Sequence, residues 1–478
     1  MAARPRLHPT PLAASRLGGG TREPAGAVAE LRAAALGDGA RESGEHELQR
    51  ALPSFAADFE QRLHGLCAAA RTLPALTAEN AQEERARLIA CLLRGDVLAP
   101  RFTHSVRPVP HAAFRLIDEL RRQVSDLVEA LASAAQAPSS AHAEERSGTP
   151  FFGAVAEALY REKLDEVELD LMLLDALGRP RAVRTLAARR YGTGSRMVTA
   201  EHGEISLAQC ARVLLDRVEP HSEPKVLAAD GTPDSLGNLV RALAGSIGLA
   251  IEVRVEPRLA SGAAAGEHTV FLASRQFGRV EAQRLAVHEV LGHLVAAHNG
   301  RKQALRIFEW GTAESFADQE GVALYLEAKH GVMDATRMRV LAGRVIATDM
   351  MHAGASFSET AHTLHRVESF SPIEAIGMAE RAYRGGGVAR DASYLLGYLR
   401  VSHAIGSGAV TLDELRAGRL SVTAVPAMRA LAAAGYGSTE LLRPNFSRSF
   451  FATKSVTTPR TSPPSDAASL IRLELTKK

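Results

Sequence analysis

One segment constrains this 478-residue chain more than any other: Leu285-Ala-Val-His288-Glu289-Val-Leu-Gly-His293-Leu-Val-Ala-Ala-His298-Asn299-Gly300. Two histidines flank a glutamate inside an apolar run with helical periodicity. Neutral imidazoles suit zinc, and a glutamate beside the first ligand can take a proton from a water that the metal activates, the logic of the HExxH helix. Here the spacing is HExxxH. At about 100° per residue, His293 falls about 140° around an ideal helix from His288, whereas an i+4 partner would fall about 40° away. Both rings reach one metal only where the helix is widened, as in a π-type turn closing i to i+5, with Gly292 relieving the crowding. The plain alternative has His288 and His293 as hydrogen-bonded core residues, with Glu289 capping or pairing with Arg284.

A metal site needs a third ligand on a neighbouring element. The run Asp318-Gln319-Glu320-Gly321-Val322-Ala323 supplies Glu320, whose helical neighbours Phe316, Ala317, Ala323 and Leu324 are apolar. It is therefore expected to face the core, where a lone carboxylate is too costly to leave unpartnered. Glu314 competes more weakly, because Asp318 lies one turn away. His298 and His330 sit nearer predicted helix ends, where histidines cap or face solvent.

Composition bounds the rest. The chain is 46% apolar and 23% charged with a net charge of +3, so no global field gathers polyanions, and nucleic-acid binding is not expected. Cys67, Cys91 and Cys210 are far apart with no CxxC pair, which turns the metal search to His and Glu ligands and fits a reducing compartment. No apolar run reaches the length of a membrane span and no secretory h-region is evident, so a cytoplasmic location without membrane association is expected. A basic, acid-poor start from Arg4 to Arg22 is also compatible with an organelle transit peptide.

Periodicity divides the chain. Residues 1–50, with Gly18 to Gly20 in a row, read as a disordered leader. Residues 51–191 form a helical N-terminal region, broken at the polar stretch 138–147 and ended by Gly178 and Pro180. Residues 192–400 are the candidate catalytic core. Within it, 234–247 reads as a helix and 250–255 and 269–273 as strands, with a Gly- and Ala-rich turn at 261–266 between them. From residue 279 helices resume, interrupted at Asn299-Gly300, Gly331, Ser369 to Pro372 and Arg384 to Gly387. Residues 401–440 form a C-terminal helical extension. Residues 441–478, with seven basic side chains from Arg443 onward against Asp466 and Glu474, form a basic tail expected to be disordered.

His288-Glu-Val-Leu-Gly-His293, Asn299-Gly300, Gln319-Glu-Gly-Val-Ala323, Arg384-Gly-Gly and Asp391-Ala-Ser-Tyr394-Leu-Leu-Gly397 occur in the order seen in the DUF1704 family. That family includes the flavohemoglobin expression-modulating QEGLA motif proteins and the microtubule-associated tyrosine carboxypeptidases. The resemblance extends upstream through Leu159-Tyr-Arg-Glu-Lys-Leu164, Leu177-Gly178 and Arg190-Tyr191-Gly192, covering about residues 150–400. It implies a mainly α fold with a small β-sheet (α+β), of the zincin-like metallopeptidase type, with an HExxxH active-site helix and an N-terminal helical region. It also implies Zn2+ held by His288, His293 and Glu320, with Glu289 as general base and acid. Two departures stand out: Leu291 and Gly292 replace the family's earlier glycine, and Val322 replaces leucine in the QEGLA motif.

The implied activity is a zinc-dependent carboxypeptidase that shortens a peptide or protein at its C-terminus. Such an enzyme needs a cation for the substrate carboxylate, preferably a bidentate arginine. Arg384 is the first candidate, with Arg381 and Arg390 as alternatives, and Tyr394 is a candidate donor to the oxyanion. The other reading is a non-catalytic regulatory or binding protein that retains a structural metal site. A weaker one has the basic tail holding an acidic partner.

Overall fold

The computed structural model describes residues 52–105, 108–136, 149–200, 203–219, 223–257, 259 and 261–444. The leader, the polar stretch 138–147 and the tail beyond residue 444 lie outside them. Six helices open the described chain: α1 (Ser54–Ala69), α2 (Thr72–Leu76), α3 (Ala81–Arg94), α4 (His111–Gln136), α5 (Thr149–Ala176) and α6 (Pro180–Tyr191). In α4 the stripe Ala113, Ile117, Leu120, Val124, Leu127 and Leu131 is buried throughout, a 3.6-residue periodicity laid onto α1 and α5. Burying each of the larger side chains contributes about 1.5–3 kcal/mol. Pro180 starts α6 and Gly192, with φ at 77°, ends it.

A hairpin of β1 (Met197–Ala200) and β2 (Gly203–Ser206) follows, then α7 (Leu207–Arg217) and α8 (Leu236–Ser246). A three-stranded sheet comes next: β3 (Glu252–Glu256), β4 (Ala263–Ala265) and β5 (Thr269–Ala273), in the spatial order β3-β5-β4. β5 runs parallel to β3 and antiparallel to β4. The Gly- and Ala-rich segment expected to be a turn thus contains an edge strand, because β5 offers it a ladder that its own residue types would not favour.

From Arg279 one helical rod runs for 24 residues. It consists of α9 (Arg279–Ala286), a π-helical segment (Val287–Leu294) and α10 (Val295–Lys302). Contrary to the expected turn, Asn299 and Gly300 lie inside α10. The Asn299 amide donates to the carbonyls of Arg416 and Leu442, and a Cβ on Gly300 would lie 2.6 Å from the Phe308 carbonyl oxygen. Tertiary contacts therefore override the local turn preference of Asn-Gly.

The remaining helices are α11 (Ile307–Trp310), α12 (Ser315–Lys329), α13 (Ala335–His352), α14 (Phe357–Arg366), α15 (Pro372–Tyr383), α16 (Ala392–Gly406), α17 (Leu412–Leu415) and α18 (Val425–Leu431). Ser356 with Glu359, Ser371 with Glu374 and Thr411 with Glu414 form capping boxes that start α14, α15 and α17. The fold is mainly helical with small sheets. No described helix is long and apolar enough to cross a membrane.

α12 sits between the rod and α16. On one side Gly292 abuts Ala323, where a Cβ on the glycine would approach the alanine Cβ to 2.6 Å. On the other, Gly321 and Gly397 bring two backbones together: a Cβ on Gly321 would lie 2.3 Å from the Gly397 carbonyl oxygen. The glycine of the HExxxH segment thus serves a helix-to-helix contact, where the sequence suggested relief inside the widened turn.

Candidate metal centre

The rod begins where Glu223 accepts the amides of Val280 and Glu281 at 3.1 and 3.0 Å, satisfying two donors that a helix start leaves free. It then widens. Across the π-helical segment His288 and His293 turn to the same side, and their Nε2 atoms stand 3.2 Å apart. Glu320, carried on α12, brings Oε2 to 3.3 Å from His288 Nε2 and 3.7 Å from His293 Nε2. This Oε2 is buried with no hydrogen-bond partner among the described residues.

With both imidazoles neutral, three lone-pair donors would converge here and a cation would offset their mutual repulsion; without one, a proton on His288 answers the Glu320 carboxylate instead. Donors bound to zinc at about 2.0–2.2 Å with tetrahedral angles lie about 3.3–3.6 Å apart, close to the separations found here. Two imidazoles and one carboxylate are also a donor set that zinc favours and that leaves a fourth position open. The residues fit the metal.

The motif around Glu320 reads residue by residue as a mount. The Gln319 side chain donates to the carbonyls of Leu415 and Leu420 at 3.1 and 2.8 Å. Gly321 admits α16, Val322 enters the core beside the sheet, and Ala323 meets Gly292. Neighbours on both sides thereby hold α12, which fixes where its carboxylate points.

Glu327, two turns past Glu320 and fully buried, places Oε1 2.7 Å from His288 Nδ1. With Nδ1 donating, the Nε2 lone pair of His288 faces Glu320 and His293. Arg337 donates to Glu327 at 3.1 and 3.2 Å, and Arg284 approaches it at 3.8 Å. Burial pushes the Glu327 carboxyl up, but Arg337 and Arg284 outweigh it and hold the group at about 2. Burial pulls the His288 imidazole down, but Glu320 and Glu327 outweigh it and raise it to about 9. Burial also pushes Glu320 up, and the two histidines bring it well below its ordinary value.

Glu289 is buried and does not pair with Arg284; its Oε2 accepts the Ala265 amide from edge strand β4 at 2.8 Å. Glu314 stands apart, exposed and paired with Arg400 at 2.6 Å. His298 lies within α10 and His330 at the C-cap of α12, neither in the cluster.

Arg384 and Tyr394 are both buried, at 8% exposure each. Arg384 opens a short 3-10 turn and comes within 3.6 Å of Asp391, with Nε and one terminal nitrogen unpartnered. Tyr394 packs edge-on to Phe316, one turn before Glu320. Burial raises its phenol, and the Glu320 carboxylate adds to that shift.

Glu327, the Ala265 amide and Arg337 were not anticipated. Glu327 carried a readable signal, since a second acid seven residues after Glu320 lies on the same helix face. The Ala265 amide carried none.

A family model described as microtubule-associated tyrosine carboxypeptidase matches residues 102–462. No curated protein and no solved structure matches.

Proposed function

The chain belongs to the microtubule-associated tyrosine carboxypeptidase family, and from that premise we propose that it is a zinc-dependent carboxypeptidase removing a C-terminal residue from a peptide or protein. The convergence of His288, His293 and Glu320, with Glu320 Oε2 otherwise unpartnered, is the observation that carries this reading.

In this reading His288, His293 and Glu320 hold the metal, and Glu327 keeps His288 in the tautomer that ligation needs. Zinc bound there supplies a Lewis acid and a water of lowered pKa. Glu289 takes the water proton and delivers it to the leaving amine, while the Ala265 amide holds one of its oxygens in place. The peptide carbonyl gains negative charge as it is attacked, and Tyr394 is assigned a hydrogen bond to that oxygen. The terminal carboxylate needs a cation, and the arginine group containing Arg384 is assigned to it.

The test is incubation of zinc-loaded protein with a mixed peptide library, followed by mass spectrometry. Loss of single residues from C-termini is expected. A chain that binds no zinc when pure, or that shortens no peptide, would return the protein to the regulatory reading.

A further inference from the structure

Beside Tyr394, three arginines gather around the Asp391 carboxylate, and a fourth, Arg390, stands next to them. Arg344 comes from α13, Arg381 from α15, and Arg384 and Arg390 from the turn leading into α16. Arg381 Nε donates to Asp391. Arg344 and Arg384 stop at 3.7 and 3.6 Å from it, beyond hydrogen-bond reach. Arg390 stacks over Phe316 at 4.8 Å and has a buried Nε with no partner. Of the further acids that act on the group, Glu380 is held by Arg85 at 2.5 and 2.8 Å, and Glu320 belongs to the metal centre.

The group therefore carries more positive charge than its one carboxylate offsets, in a place where unpaired charge is costly. Burial, with Arg381 alongside, pushes both Arg344 and Arg384 down to about 10. An anion entering here removes that cost.

Position says which arginine it meets. The Arg344 side chain is 17% exposed against 6% for Arg384, and among the described residues no hydrogen bond engages its guanidinium. It lies 5.1 Å from the Tyr394 ring, which packs on Phe316, one turn from Glu320. It also follows Arg337 by seven residues on one face of α13, about 10.5 Å along the axis. Arg337 in turn contacts the carboxylate that orients His288.

We propose that Arg344 grips the α-carboxylate of the C-terminal residue, with Arg384 and Arg390 as supporting charge and the Arg381–Asp391 pair as the scaffold. This rests on the carboxypeptidase reading and assigns its carboxylate subsite. Arg384 becomes a positioning residue behind the contact.

The test uses the full zinc-loaded chain carrying Glu289→Gln, which leaves peptides uncut. Hexapeptides with each of the twenty residues at the end are made as free acids and as C-terminal amides, and binding of each pair is measured. Acids are expected to bind about 10- to 100-fold more tightly than amides. Arg344→Met should bring that ratio near one, and Arg344→Lys should reduce it several-fold, because lysine cannot grip a carboxylate bidentately. An acid-to-amide ratio unchanged by both substitutions overturns the proposal, as does a ratio near one before either is made. Should Arg344→Met fail to fold, Arg344→Lys decides alone. A clear acid preference abolished at Arg344, in a protein whose Glu289 form cuts no peptide, would support the subsite while sinking the peptidase reading.

Discussion

Glu327 Oε1 lies 2.7 Å from His288 Nδ1, on the same helix that presents Glu320 to His288 Nε2. One helix thus addresses both nitrogens of one imidazole. Replacing Glu327 by Gln should weaken zinc binding about 10- to 100-fold, because the ring's acceptor loses the negative charge that raises its basicity. Competition with a chromophoric chelator, on protein shown to be folded, measures this. An unchanged affinity would reduce Glu327 to a counter-ion for Arg337 and Arg284.

Glu289 and Glu320 should separate cleanly. Glu289→Gln is expected to keep about one zinc per chain and lose about 10²- to 10⁴-fold in turnover, the usual worth of a general base. Glu320→Ala should lose metal and activity together. Elemental analysis beside the peptide assay distinguishes them, and a Glu289→Gln protein with full turnover would remove the base from the mechanism.

The seam between α12 and α16 should tolerate no side chain. A Cβ on Gly397 would fall 1.8 Å from the Ala317 carbonyl oxygen, so Gly397→Ala is expected to cost at least about 1–3 kcal/mol in chemical denaturation. Gly377, inside α15 with nothing near its missing Cβ, provides the contrast. There Ala should stabilise by about 0.5–1 kcal/mol.

Glu60 should make stability fall as pH rises. Buried between the Tyr160 hydroxyl and the Ile307 amide, its carboxyl is raised from 4.5 to about 7, chiefly by burial. Between those values the folded chain keeps a proton that the unfolded chain releases, so this group costs about 1.4 kcal/mol per pH unit across that window. Glu60→Gln, whose amide can donate to Tyr160 and accept from Ile307, should flatten the profile and be the more stable form at pH 8. Parallel denaturation profiles for the two proteins from pH 5 to 8 would show that Glu60 does not hold the proton.

Several of these features were legible before the fold was known. Two histidines five positions apart in an apolar run demanded a widened turn, and Val287–Leu294 is one. The strand Glu252–Glu256 announced itself by the alternation of apolar and polar residues over 250–255. β4 did not: three alanines have no strand character of their own, and their register comes from β5. Arg381, Arg384 and Arg390 were candidates from the sequence, but Arg344 was beyond reach for another reason. Arg344 and Asp391 are 47 positions apart, and only the packing of α13 against α15 and α16 brings them together. Arg384, the first candidate in the sequence, belongs to that group but sits deeper in it than Arg344.

The hold of Asn299 on Leu442 has a mechanical side. Its amide donates to the Leu442 carbonyl and accepts the Leu442 amide at 2.9 and 2.7 Å, with a further bond to Arg416. The far end of the described chain is thereby stapled to the stretch of rod that continues from His293. Tension on the polypeptide beyond Leu442 is transmitted to the helix bearing two of the three converging donors. Cutting the chain at residue 440 would leave a 1%-exposed amide with two bonds missing, within two turns of His293.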